Sequence, residues 1–245
     1  LYKFKETFVL GIIGGMGPMA SALFYDMISS KTDASCDQEN LDLILLSHAG
    51  MPDRTGAILS KDEVQIEAVR SKLLADAMFL QNSGCTAIAV TCNTAHYFVN
   101  MIEDELDIPF IHLIRETAEA VASDFGAKKV AVLATDGTIE TKLYQDELSK
   151  RGVIAFTPKA EVQALVMHEI YDCIKSGKPA DEEIWQKIEE YVKAEGCEAA
   201  VLACTELSVV RKELSLGGFY FDPMDIMAER CLDFYEKRGE IKKRG

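Results

Sequence analysis

Two rhythms of apolar residues alternate along this chain. Short unbroken runs read as strands: Phe8–Ile13, Leu43–Leu46, Ala87–Thr91, Val130–Ala134, Val153–Phe156 and Ala199–Ala203. Between them lie longer stretches with apolar side chains at every third or fourth position. Ile66, Val69, Leu73, Leu74, Ala77 and Leu80 mark the buried face of one such helix, and Gly84 ends it. Ser60, with Glu63 three residues on, predicts a capping box at its start. From Asp181 the plan recurs, with Ile184, Ile188, Tyr191 and Val192 buried and Gly196 as the stop. The alternation predicts an α/β fold with mainly parallel sheets.

The elements form an ordered series that occurs twice. Phe8–Ile13 corresponds to Val130–Ala134, and each leads through a Gly-containing turn into a helix with a tyrosine at similar depth, Tyr25 and Tyr144. Residues 84–94 read Gly-Cys-Thr-Ala-Ile-Ala-Val-Thr-Cys-Asn-Thr, and residues 196–206 read Gly-Cys-Glu-Ala-Ala-Val-Leu-Ala-Cys-Thr-Glu. In both, a second cysteine follows eight residues after the glycine. The series predicts two similar α/β domains related by internal pseudo-symmetry, one over residues 1–113 with 219–245 and one over 114–218. The boundary follows the strand-like Pro109–Ile111. The tail 219–238 reads as a strand, a turn at Asp222-Pro223 and a helix, more than the second unit needs, and is expected to return to the first domain.

Composition narrows the class. With 245 residues and 48% hydrophobic content, the chain can fill a sizeable core. A formal charge of −14 argues against general affinity for nucleic acid or anionic membranes. Residues 8–24 are uncharged and follow Lys3 and Lys5, but Gly14-Gly15-Met16-Gly17-Pro18 would break an apolar helix there. No signal or membrane segment is expected. Seven cysteines, without any C-x-x-C or zinc-like spacing, indicate a reduced cytoplasmic protein with no structural metal. Cys36, Cys85, Cys173, Cys197 and Cys231 read as buried packing residues.

Cys92 and Cys204 are different. Each stands at the carboxyl end of a strand, where ligands bind in open α/β sheets, and each is followed by polar residues that open a helix. The helix terminus favours thiolate, and free N–H groups with Asn93, Thr94 and Thr205 can hold a substrate carboxylate. Two matched thiols facing across a cleft suit proton removal on one side of a carbon and delivery on the other. Glu206 is near enough to touch a substrate ammonium or help manage a proton. Met16 and the N–H of Gly17 are candidates to line the pocket, since glycine permits close approach. His96, one turn beyond Cys92, reads as a core or supporting histidine; His48, His112 and His168 have no partner that the sequence names.

Gly14-Gly15-Met16-Gly17-Pro18, Cys92-Asn93-Thr94 and Cys204-Thr205-Glu206-Leu207 together resemble the aspartate/glutamate racemase family, the amino-acid racemases that work without pyridoxal phosphate. The resemblance covers nearly the whole chain. It implies two α/β domains with the active site between them, one catalytic cysteine from each, a homodimer, and no cofactor or metal. It makes Arg54 a candidate for the substrate's side-chain carboxylate and Lys175 a candidate at the cleft entrance. Glutamate racemases typically carry Asp-Ser-Gly in the first loop and a histidine two residues after the second cysteine. This chain has Ile13-Gly14-Gly15 and Glu206 there, so it looks like the aspartate branch.

The expected activity is cofactor-independent racemisation of aspartate. Alternatives on the same scaffold are a glutamate or broad-specificity racemase, a hydantoin racemase, a maleate cis–trans isomerase and a non-catalytic binding relative. A nucleotide-binding oxidoreductase is disfavoured, because Gly11–Gly17 lacks G-x-G-x-x-G spacing and the chain has no P-loop.

Overall fold

The computed structural model describes residues 8–123 and 126–236. Lys3, Lys5 and the last nine residues of the expected first domain lie outside the described residues. Two four-stranded parallel sheets of identical plan organise the chain. The first has the order β2-β1-β3-β4, from β1 (Val9–Gly14), β2 (Asp42–Ser47), β3 (Ala87–Val90) and β4 (Phe110–Ile111). The second repeats it as β6-β5-β7-β8, from β5 (Lys129–Ala134), β6 (Ile154–Phe156), β7 (Ala199–Ala203) and β8 (Tyr220–Phe221). Even the register recurs: Leu10 pairs with Ala87, and its counterpart Val130 pairs with Ala199. Parallel neighbours require crossovers, and the helices that supply them cover the sheet faces.

In the first half these are α1 (Pro18–Lys31), α2 (Arg54–Ser60), α3 (Glu63–Asn82) and α4 (His96–Ile102), followed by α5 (Leu113–Ser123). In the second they are α6 (Asp136–Glu140), α7 (Leu143–Ser149), α8 (Ala160–His168), a π-helical turn at Glu169–Ile174, α9 (Glu182–Ala194) and α10 (Thr205–Glu213). The last helix, α11 (Pro223–Glu236), packs on α1 and α5. The central strands β1, β3 and β7 and nearly all of β5 are buried along their length, as uncharged runs require. No described helix is long and apolar enough to cross a membrane.

Several local expectations are corrected. Ser60 does not cap α3; it closes α2, and its hydroxyl donates to the Ala57 carbonyl. The cap is Asp62, whose carboxylate accepts from the Val64 N–H at 2.9 Å. Tyr25 is exposed while Tyr144 is fully buried, so the two tyrosines are not at similar depth. Cys36 is exposed rather than packed. The expected α3 face is present, with Val69, Leu73, Ala77 and Leu80 buried and Ile66 and Leu74 at its margin. On α9 Ile188 and Val192 are buried together with Trp185, and Ile184 and Tyr191 lie at the margin. The strand in the tail does not return to the first sheet: Tyr220–Phe221 pairs with β7 and holds the place of β4.

Candidate active site

Both cysteines emerge from the centre of a sheet. Cys92 follows β3, and Cys204 follows β7 as the N-cap of α10; each is only 6% exposed. Asn93 and Thr94 do not yet belong to α4, which begins at His96 after a turn in which His96 N–H donates to the Asn93 carbonyl. Opposite them runs the loop after β1. Gly15 adopts φ +84°, and a Cβ there would stand 2.6 Å from the backbone of His48 and Ala49, so only glycine fits against the β2 end.

The second half supplies a charged group around Cys204. Its thiol donates to Oε2 of Glu206 at 2.9 Å, and Oε1 of Glu206 forms an ion pair with Nζ of Lys175. Glu206 is 3% exposed. Lys175 ends the π-helical turn, and its ammonium lies 5.7 Å from the centre of the Tyr171 ring. Burial lowers the affinity of Lys175 for its proton, but Glu206 and the two cysteines outweigh it and raise its pKa.

The first half supplies Arg54, placed as the first residue of α2 with Asp53 as the N-cap. Its guanidinium donates to the carbonyls of Pro52 at 2.9 Å, Met51 at 3.3 Å and Met16 at 3.4 Å. Burial works against the charge, yet Cys92, within hydrogen-bonding reach, together with Asp53 and Glu206, raises the Arg54 pKa. Arg54 therefore faces groups around both thiols. A Cβ on Gly17 would approach Oε1 of Glu206 to 3.1 Å, so this loop also faces the second half. Met16, Gly17, Arg54, Cys92, Lys175, Cys204 and Glu206 thus form one connected group.

One expectation about the thiols changes. Cys204 does not gain thiolate character from its helix: burial and the Glu206 carboxylate raise its pKa well above the ordinary thiol value, despite Lys175. The Thr94 hydroxyl lies 2.9 Å from those of Thr135 and Thr138 and ties the two halves together. Thr205 Oγ1 lies 3.3 Å from Glu206 Oε2 and 3.4 Å from the Thr91 carbonyl.

Asn93 is 2% exposed, and its Oδ1 accepts from the hydroxyl of Tyr144 in the second half at 2.5 Å. Its Nδ2, like Nε of Arg54, is buried without a partner. A buried donor left unpaired costs on the order of 1–3 kcal/mol, so an acceptor from a ligand or water would stabilise both. Sequence reading missed Tyr144, Thr135 and Thr138 as site supports; the repeat aligned Tyr144 with Tyr25 without showing that it reaches across. His48 pairs with Asp76 at 2.7 Å and His168 with Asp172 at 3.0 Å.

The family model described as Asp/Glu/Hydantoin racemase matches residues 13–231. A broad-specificity amino-acid racemase of Bacillus subtilis is 25% identical over 207 residues, 82% of this chain and 87% of that protein. A glutamate racemase of Corynebacterium glutamicum is 26% identical over 156 residues, 62% of this chain and 55% of that one. Among solved structures, an aspartate racemase of Picrophilus torridus superposes with a TM-score of 0.75 at 25% identity, covering 96% of this chain and 100% of that one.

Proposed function

The chain belongs to the Asp/Glu/Hydantoin racemase family, and from that premise we propose that it interconverts L- and D-aspartate with Cys92 and Cys204 as paired base and acid. As a member of this family it is an isomerase, an amino-acid racemase. The single observation that carries aspartate as substrate is the pair of unpartnered buried donors, Nε of Arg54 and Nδ2 of Asn93. A substrate with two carboxylates would supply acceptors for both, and Arg54 can bind one of them in a bidentate fork.

The reaction is proton transfer alone. One sulfur, as thiolate, takes the proton from Cα, and the electron pair of that bond moves toward the α-carboxylate. The other sulfur, as thiol, gives its proton to the opposite face of Cα. The sulfurs end with exchanged protonation states, ready for the reverse direction. The unequal surroundings support this division of labour: the Arg54 cation stands beside Cys92, and the Cys204 thiol already donates to Glu206. Donors at the carboxylate stabilise the charge that develops there. Thr205 and the Gly17 N–H complete the proposed pocket, Lys175 closes its entrance beside Glu206, and Thr94 supports it through the threonine cluster.

A broader amino-acid range is the second reading, favoured by the extent to which the chain covers the broad-specificity relative. We further propose a homodimer working in a reducing cytoplasm, in keeping with cysteines that are all free. The proposed domain boundary lies near residue 113, with α11 grouped with the first unit.

Proton NMR of L-aspartate with the thiol-reduced enzyme in D₂O, without pyridoxal phosphate, tests the reading. Loss of the α-proton signal with formation of D-aspartate is expected. No exchange by folded enzyme with both thiols free would overturn aspartate, and glutamate, neutral amino acids, a hydantoin and maleate would be tried in turn.

A further inference from the structure

We infer that His96 is a positioning residue for Cys92, its imidazole tying the carbonyl of that cysteine to the start of the helix that leads into the second half. The inference rests on Cys92 being one of the two proton-transferring thiols. His96 is fully buried, and its Nδ1 lies 2.8 Å from the Cys92 carbonyl oxygen. Its Nε2 accepts from the Leu113 N–H at 3.2 Å, so the ring hydrogen is on Nδ1 and is donated to Cys92. Leu113 opens α5, which packs on α7 and α11.

The neighbouring His112 holds the ring from the side, with centroids 4.7 Å apart in an edge-on arrangement. His112 is itself fixed, accepting from the Arg115 N–H at 3.3 Å and donating to Asn100 Oδ1 at 3.0 Å. Burial lowers the His96 pKa to about 4, so the imidazole is neutral where the reaction runs. A neutral ring held between one donor and one acceptor exchanges no proton with substrate. Its effect is geometric. The peptide plane after Cys92 carries that carbonyl and the Asn93 N–H on opposite sides, so holding the carbonyl sets the turn from which the Cys92 sulfur and the Asn93 amide project. Displacing a reacting group by ~1 Å can cost about 100-fold in rate.

Three variants separate positioning from plain packing. His96→Asn can place an amide N–H where Nδ1–H stands; His96→Gln can keep an acceptor for Leu113 but not the donor to Cys92; His96→Leu keeps neither. Iodoacetamide labelling of reduced protein, followed by peptide mass spectrometry, gives the rate at Cys92 relative to Cys204 in the same molecule. The Cys92 to Cys204 ratio is expected to shift on the order of tenfold in the Gln and Leu variants and to stay within about twofold in the Asn variant. Racemisation kcat should follow the same order, with KM little changed. Equal acceleration or slowing at both thiols, an unchanged ratio, or a ratio in the Asn variant as disturbed as in the Leu variant would overturn the assignment. Because labelling needs no turnover, it reads the role of His96 even if the wild-type enzyme leaves aspartate untouched, and thermal denaturation of each variant identifies one that has not folded.

Discussion

The Cys204 thiol and the Glu206 carboxylate are hydrogen bonded at 2.9 Å inside the protein, and this contact keeps the proton on sulfur. Burial and the Glu206 charge both raise the Cys204 pKa. In Glu206→Gln the second influence is gone, so Cys204 gives up its proton at lower pH. The alkaline limb of the kcat/KM profile should move to lower pH, with kcat reduced by about 10- to 100-fold as the hydrogen bond to a charged group is lost. An alkaline limb left in place would dissociate Glu206 from the acid of the reaction.

Removing either sulfur should stop net racemisation. Cys92→Ser and Cys204→Ser keep size and polarity at sites that are almost fully covered, so both should fold. Each should retain α-proton exchange of at most one enantiomer, and opposite ones in the two variants. Full activity in either, measured by chiral chromatography, would end the two-thiol mechanism.

Arg54→Ala should discriminate between substrates. A hydrogen bond to a charged group is worth about 1.5–3 kcal/mol, so KM for aspartate should rise by about 10- to 100-fold. An amino acid without a second carboxylate, such as alanine, should be affected much less if it is turned over. Equal losses for both would place Arg54 outside the recognition of the side-chain carboxylate.

Acid sensitivity should trace partly to His96. Its folded pKa of about 4 lies below the ~6.5 of an unfolded histidine, so the unfolded chain binds more protons between those values. The stability that depends on the neutral ring is therefore complete above pH ~6.5 and declines as the pH falls toward 4. One such histidine contributes a slope of up to about 1.4 kcal/mol per pH unit. Urea unfolding at stepped pH should show a shallower slope in His96→Asn than in the wild type. Parallel curves would assign the acid response to other groups.

Much of this architecture was legible because it rests on contiguous sequence. Uncharged runs such as Ala199–Ala203 are strands at the centre of a sheet, and the repeated placement of Cys92 and Cys204 followed from identical spacing to the preceding glycine. What was not legible depends on partners remote in sequence. The contacts of the Thr94 hydroxyl with Thr135 and Thr138 span about forty residues of sequence and join the two halves. Tyr144 is fully buried and reaches Asn93, whereas Tyr25 is exposed, and only the packing of the two halves separates them. Cys204 was read from its helix terminus alone, whereas burial and a carboxylate two residues on reverse the sign of the shift. Caps fail for a nearer reason: Ser60 and Asp62 compete over three residues, and the short helix Arg54–Ser60 claims the serine first.

The two sheets share strand order and register, but the groups mounted on them do not match: a guanidinium beside one sulfur, a carboxylate and an ammonium beside the other. Mirror-image amino acids have equal free energies in water, so for the proposed reaction kcat/KM must be the same in both directions whatever the protein does. The mismatch can therefore show only as a difference in grip. The hand that is held more tightly in the ground state turns over more slowly by the same factor, and the ratio of the two Michaelis constants becomes a direct gauge of how unequally the two duplicated halves hold the two hands.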